Sequence, residues 1–105
     1  MTQFDVHRNA DTASSKTIPY LLDVQSDLLR GLTTRVVVPL ARLDVLNKKS
    51  AHQLNLIVEI EGKKFVMLTP EMAGIPIKRL GDVVANVEAK RADIIRALDV
   101  VFSGV

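Results

Sequence analysis

The sequence predicts a mainly β fold that ends in a single α-helix. Short segments with alternating or β-branched apolar residues recur up to about residue 80, with turn-forming residues between them. Only the last quarter of the chain has apolar residues at three- and four-residue steps. With 105 residues, 48% of them hydrophobic and 25% charged, the chain is expected to form one domain over residues 1–105.

The first half of the chain contains three predicted strands, at residues 3–7, 20–25 and 35–40. Phe4 and Val6 alternate with polar neighbours, which is typical of a strand with one solvent-facing side. This pattern places His7 on the solvent-facing side, so we expect an ordinary surface histidine there. Residues 8–16 are polar and predict an exposed loop, and residues 26–34, which contain Gly31, predict a connection that carries the apolar pair Leu28-Leu29.

The second half of the chain predicts a hairpin, a short strand and the helix. Strands at 54–60 and 64–68 are separated by Glu61-Gly62, a spacing that favours a tight turn. A short strand follows at 75–78. Asp82 is a suitable helix N-cap, and a helix of about twenty residues is expected from there to Gly104, which can adopt the left-handed conformation at a helix end.

Composition and charge narrow the class of protein. The net charge of +2 and the absence of any run of five like charges favour ordinary surface charge over a nucleic-acid-binding face. A weakly basic surface is suited to an acidic peptide partner. The chain has no cysteine, and neither a signal-peptide pattern nor an apolar stretch of membrane-spanning length is found. We therefore expect a cytoplasmic protein with no membrane partner.

The residues that usually carry enzyme chemistry form no recognisable motif. His7 and His52 have no motif-spaced partner, and the five glycines are isolated, so no phosphate-binding loop is predicted. Asp23 and Asp27 are close in sequence, but two carboxylates without a third ligand are weak evidence for a metal, and a turn or capping role suits Asp27 better. We expect no catalytic residues, no metal and no cofactor.

The carboxyl terminus is unusual because apolar residues continue to the last position, Val105. Chain ends are more often polar and frayed. Such an end is packed within the domain, packed in a dimer or offered to a partner, and the pattern alone leaves these alternatives open.

Three segments resemble the CcdB family of toxins, in the same order and over nearly the whole chain. They are Asp23-Val24-Gln25-Ser26-Asp27 followed by Leu28-Leu29, Thr34-Arg35-Val36-Val37-Val38-Pro39-Leu40-Ala41, and Met67-Leu68-Thr69-Pro70-Glu71-Met72-Ala73-Gly74-Ile75-Pro76. Gln3-Phe4 at the amino terminus and Phe102-x-Gly104-Val105 at the carboxyl terminus are also similar to the family.

The resemblance implies an SH3-like barrel with a small additional antiparallel sheet and one C-terminal helix, forming a homodimer. It implies a toxin that binds DNA gyrase A and traps the cleaved DNA complex without chemistry of its own. A cognate antitoxin would neutralise the toxin through a flexible C-terminal segment, and DNA would be contacted only through the antitoxin complex, in autoregulation of transcription. The gyrase-contacting positions of the family correspond here to Leu28, Leu29, Asp99, Phe102, Ser103, Gly104 and Val105.

Two of these positions differ from the well-known member of the family, which has Trp in place of Ser103 and Asn in place of Asp99. Trp is a frequent interface hot spot, so Ser103 predicts gyrase binding weaker by about tenfold or more. Two alternatives follow from the same residues. One is a ribonuclease of the MazF/Kid type using Thr33, Thr34, Arg35 or His52, and the other is a decayed toxin that retains only antitoxin binding.

Overall fold

The computed structural model describes residues 2–43 and 56–104. Within them lie seven strands and one α-helix: β1 Asp5–Asn9, β2 Tyr20–Asp23, β3 Thr34–Arg42, β4 Ile57–Ile60, β5 Lys63–Met67, β6 Ala73–Pro76, β7 Leu80–Asn86 and α1 Arg91–Ser103. The strand order is β4-β5-β3-β2-β1-β7, with β6 also paired to β3, and all pairs are antiparallel. The predicted mainly β fold with one C-terminal helix is confirmed.

The long strand β3 makes the sheet curl, because it has two different neighbours along one edge. Thr34 to Val37 pair with β6, whereas Leu40 to Arg42 pair with β5. The opposite edge of β3 pairs with β2. A half-barrel results, and it encloses the core on its inner face.

The hairpin predicted around Glu61-Gly62 is present. Ile60 lies opposite Lys63, and the two turn residues have φ angles of 53° and 80°. Positive φ at both central positions gives the turn twist that matches two antiparallel strands. The first two residues of the predicted strand, 54 and 55, lie outside the described residues, as do His52 and Val105.

The core is built mostly from the inward-facing residues of the strands, and α1 closes it. Ile94 and Ala97 of the helix are buried, and Leu98 packs beside them. The buried cluster consists of Phe4, Val6, Tyr20, Leu22, Val24, Val38, Leu40, Val58, Ile60, Phe65, Met67, Ile94 and Ala97. No helix in the described part of the chain is long and apolar enough to cross a membrane.

The predicted start of the helix at Asp82 is wrong. Residues Leu80–Asn86 form β7, and the α-helix begins only at Arg91. The apolar spacing of Val84 and Val87 suits a helix, but backbone pairing with β1 at the sheet edge decides the conformation of this segment. Its β-branched residues are also well suited to a strand.

The predicted surface position of His7 is also wrong. The side chain is 2% exposed, and its Nδ1 lies 3.1 Å from the carbonyl oxygen of Gly81. A carbonyl only accepts, so Nδ1 carries the proton and donates. The strand β1 is paired on both edges at this residue, with Leu21 of β2 and Val83 of β7 opposite His7, and the contact of its ring is with Gly81 of β7. Nε2 is buried without a hydrogen-bond partner among the described residues.

Gly81 lets β7 approach β1 closely, and Gly81→Ala is expected to lower the free energy of unfolding by about 1–3 kcal/mol. A Cβ at this position would lie 2.7 Å from the carbonyl oxygen of Arg8 and 2.9 Å from its Cβ. Gly74→Ala is the matched control, because no atom lies within 4 Å of the added methyl group there. Urea unfolding of both variants checks the prediction, and equal midpoints would contradict it.

Asp5 makes the stability depend on pH in the acid range. Burial raises the pKa of Asp5, but hydrogen bonds from Asn86 and Thr2 outweigh it and hold the pKa below its ordinary value. The stabilisation is therefore complete above about pH 3.9, the ordinary aspartate value, and is lost as the pH falls through the folded-state pKa. Urea unfolding at several pH values between about 2.5 and 7 measures this dependence. As the pH falls, the free energy of unfolding should decrease less for Asp5→Asn than for the wild type. The same loss in both proteins would refute this role, and Asp82→Asn, at an exposed carboxylate, is the control.

Candidate protein-binding site

The most exposed large apolar side chains of the described residues lie on two segments of the surface. Leu28 is 93% exposed and Leu29 is 51% exposed, both on a single 3-10 turn between β2 and β3. Phe102 is 74% exposed in the last turn of α1. Side chains of this size gain free energy when a partner covers them, so both segments have the character of a protein-binding surface.

The turn Asp27–Leu29, the leucine turn, is held by local hydrogen bonds. Ser26 is its N-cap, and its Oγ accepts from the backbone N–H of Leu28 at 3.2 Å. The Asp27 carboxylate accepts from the backbone N–H of Gln3 at 2.9 Å, which ties the turn to the amino terminus. The turn role expected for Asp27 is confirmed, while the capping bond itself comes from Ser26.

Gln25 connects the turn to the sheet from inside the protein. Its side chain is buried, its Oε1 accepts from the backbone N–H of Val36 at 3.0 Å, and its Nε2 donates to the carbonyl of Leu29 at 3.0 Å. One amide side chain therefore satisfies two backbone groups on different segments. Because the carbonyl of Leu29 is held, the direction in which Leu28 and Leu29 point is set by the sheet.

A buried ion pair lies beneath Gln25 and supports it. Arg35 Nε donates to Asp23 Oδ2 at 2.7 Å, and the two side chains are 1% and 0% exposed. The other oxygen of Asp23 accepts from the backbone N–H of Gln25 at 3.0 Å. Both oxygens of the Asp23 carboxylate thus accept hydrogen bonds inside the protein, which gives this side chain a structural role. The polar side chains between Asp23 and Asp27 all support the turn, and the apolar side chains after them face outward.

The carboxyl-terminal segment is a helix end with an ordered cap. Gly104 has φ of 72°, and its N–H donates to the carbonyl of Val100 at 3.0 Å. The left-handed conformation expected of Gly104 is confirmed. Ser103 Oγ donates to the carbonyl of Asp99 at 2.7 Å, so the hydroxyl is engaged within the helix, and Asp99 is itself exposed.

The start of the helix is anchored to the amino terminus, which positions the far end. The guanidinium of Arg91 lies 5.4 Å from the centre of the Phe4 ring and donates to Gln3 Oε1 at 3.1 Å. Phe4 is buried with φ of 71°, and its backbone bonds to Asp23 on one side and Val87 on the other. The same N-terminal residues therefore hold both the leucine turn and the helix.

The predicted site residues thus fall on two segments, both tied to the amino terminus. Leu28 and Leu29 are on the turn, while Asp99, Phe102, Ser103 and Gly104 are on the helix end. Sequence reasoning missed Leu32, which is 50% exposed and whose N–H donates to the carbonyl of Leu29 at 3.2 Å. Three leucines within five residues of a polar connection were the available signal.

Fold and surface together define a small half-barrel domain whose exposed apolar side chains have the character of a protein-binding surface. A solved structure described as an endoribonuclease in complex with its cognate antitoxin, from mycobacterial species, has the same fold, with a TM-score of 0.76 and 16% identity over 97% of this chain and 94% of that one. The family model described as CcdB protein matches residues 3–104. The chain therefore belongs to the CcdB family, and it is a toxin of a toxin–antitoxin pair.

Proposed function

We propose that this toxin poisons DNA gyrase by binding the dimerisation region of gyrase A and trapping the enzyme with its DNA cleaved. The observation that carries the proposal is the leucine turn, in which Leu28 is 93% exposed while a buried polar network holds the backbone beneath it. A large apolar side chain on a rigid support binds without an ordering cost in the turn. The toxin needs no catalytic residue for this activity, because gyrase itself cleaves the DNA.

The proposed gyrase contacts are of two kinds: large apolar side chains, and a glycine that lets the two backbones come close. Phe102 and Leu28 are the anchors, since large apolar side chains carry most of the energy in protein interfaces. Leu29 extends the apolar area, and Gly104 permits close approach of the backbone. Val105 lies outside the described residues and is assigned to the contact only by its correspondence to the family position. In the proposed homodimer, both segments would be duplicated around a two-fold axis and would match a two-fold target.

The likeness to an endoribonuclease raises RNA cleavage as the competing activity, and the position of Arg35 does not favour it. This arginine was one of the groups available for RNA chemistry, yet it is 1% exposed and paired to Asp23. Its guanidinium supports the leucine turn and has no access to a substrate. RNA cleavage is therefore the second arm of the functional test.

The test is a supercoiling assay with purified gyrase, followed by detergent and protease to release trapped DNA. Linear DNA that appears only when the toxin is present supports gyrase poisoning. No linear DNA and no binding to gyrase A would contradict it, and RNA cleavage by the same preparation would then identify a ribonuclease. A protein that binds its antitoxin but spares cells when expressed alone would be a decayed toxin.

Ser103→Trp is expected to tighten binding to gyrase A by about tenfold, because an exposed helix end gains an aromatic side chain at the interface. The hydroxyl of Ser103 bonds only within its own helix, and the residue is exposed, so the folded state should tolerate the change. Calorimetric titration of gyrase A with both proteins measures the change. Ala89→Trp, at an exposed position before the helix, is the control, and an equal gain there would show non-specific association.

A further inference from the structure

A pocket of about 520 Å³ opens beside the end of β3 and the β4–β5 hairpin. Tyr20 and Phe65 are among its lining residues, together with three cations, Arg42, Lys63 and Lys64. None of these residues belongs to the leucine turn or the helix end. The pocket is therefore a second surface feature, and it combines an apolar lining with positive charge.

The aromatic residues of the pocket favour a peptide over a nucleic acid. Tyr20 and Phe65 form an edge-to-face pair with ring centres 5.0 Å apart and planes at 83°. They are 8% and 4% exposed, so neither ring offers an open face. Proteins that bind single-stranded nucleic acid stack bases on exposed aromatic faces, which this pocket lacks.

The cations are available to an incoming anion. Arg42 lies opposite Phe65 in the β3–β5 pair, and Lys63 precedes Phe65 by two residues and shares its face of the strand. In residues 2–43 and 56–104 the single ion pair is Asp23–Arg35, so no described carboxylate neutralises either cation. Lys64 differs, because Glu59 lies opposite it on the neighbouring strand.

We infer that this pocket binds a carboxylate-bearing segment of the cognate antitoxin, with an acidic side chain between Arg42 and Lys63 and an adjacent apolar side chain in the pocket. The inference rests on the proposed toxin–antitoxin function, and it adds the site and its chemistry. Two cations that pair with no carboxylate of the described residues, beside an apolar lining, complement an acidic segment with apolar neighbours. Residues 44–55 of the chain itself carry two lysines against one aspartate, so their charge does not complement the pocket.

The experiment is a calorimetric titration of the intact toxin with purified full-length antitoxin at 50 and 300 mM salt, about 14 and 6 Å in Debye length. Lys63→Glu is expected to weaken binding by at least about tenfold and to reduce the salt dependence. Lys63→Met keeps the apolar stem and should weaken binding less than Lys63→Glu does. Lys90→Glu is the matched control, since Lys90 is exposed and not part of the pocket, and its affinity should stay within about threefold of the wild type.

Unchanged affinity for both Lys63 variants would overturn the inference, and so would an equal loss for Lys90→Glu. Weaker binding of Lys63→Glu to an RNA oligonucleotide, with antitoxin binding unchanged, would assign the pocket to RNA and also overturn it. Gyrase-dependent DNA cleavage by the same variants separates this inference from the gyrase proposal. If wild-type toxin traps no cleaved DNA while antitoxin binding depends on Lys63, the gyrase proposal fails and the pocket assignment stands.

Discussion

Asp23→Ala is expected to lower the free energy of unfolding by about 3–5 kcal/mol, because it leaves the guanidinium of Arg35 buried without a counter-charge. Both side chains of this pair are at most 1% exposed, and the Nε–Oδ2 distance is 2.7 Å. The backbone N–H of Gln25 would lose its acceptor in the same variant. For a domain of this size the melting temperature should fall by at least about 12 °C, measurable by circular dichroism.

Two variants distinguish loss of this pair from a general effect of the charge change. Asp82→Ala removes an exposed carboxylate and should change the free energy of unfolding by no more than about 0.5 kcal/mol. The double variant Asp23→Leu, Arg35→Met removes both charges. It should lower the free energy of unfolding by less than the sum of the decreases in the two single variants, Asp23→Leu and Arg35→Met. Strict additivity would show that the two side chains do not interact.

Leu28→Asp is expected to reduce gyrase poisoning by about 30- to 150-fold, which corresponds to roughly 2–3 kcal/mol at an interface hot spot. The substitution replaces an apolar anchor by a carboxylate that the interface would have to bury without a partner. Folding should be unaffected, since Leu28 is 93% exposed and only its backbone takes part in described hydrogen bonds. The measurement is the toxin concentration that gives half-maximal linear DNA in the gyrase assay.

The control for Leu28→Asp introduces the same carboxylate elsewhere. Ala89→Asp lies at an exposed position before α1 and should leave both the DNA cleavage and the melting temperature unchanged. Full poisoning by Leu28→Asp would exclude the leucine turn from the gyrase interface. An equal loss of activity in both variants would indicate a non-specific effect of negative charge.

The elements that the sequence predicted correctly are those with local causes. The hairpin at Glu61-Gly62 was predicted from a short Gly-containing turn between two strand patterns, and Gly104 ends the helix in the left-handed conformation. Leu28 and Leu29 could be selected as site residues because large apolar side chains in a polar connection, within a segment similar to the CcdB family, are readable from the sequence alone. Their exposure in the structure agrees with that prediction, and their contact with gyrase stays a prediction.

The short strand predicted at 75–78 lies instead at Ala73–Pro76 and is followed by a 3-10 turn, Ile77–Arg79. The errors at Asp82 and His7 have a non-local cause. The helical spacing of Val84 and Val87 is real, but hydrogen bonding to β1 brings residues 80–86 into the sheet. The same pairing places β7 beside His7, which is why a histidine in an alternating pattern is buried. Neither outcome follows from the residues near each position, since pairing partners about 75 residues apart decide both.

The mainly β class, the family and the apolar side chains that the toxin presents are all readable from the order of its residues. The contacts that hold these side chains in place appear only in the folded chain: Asp23 pairs with Arg35, 12 residues further along, and Gln25 links β3 to the leucine turn. Apolar periodicity and turn chemistry act over a few neighbouring residues, whereas the partner of a buried charge depends on strand register. In this toxin the β2–β3 register, with Asp23 opposite Val37, brings Asp23 and Arg35 together.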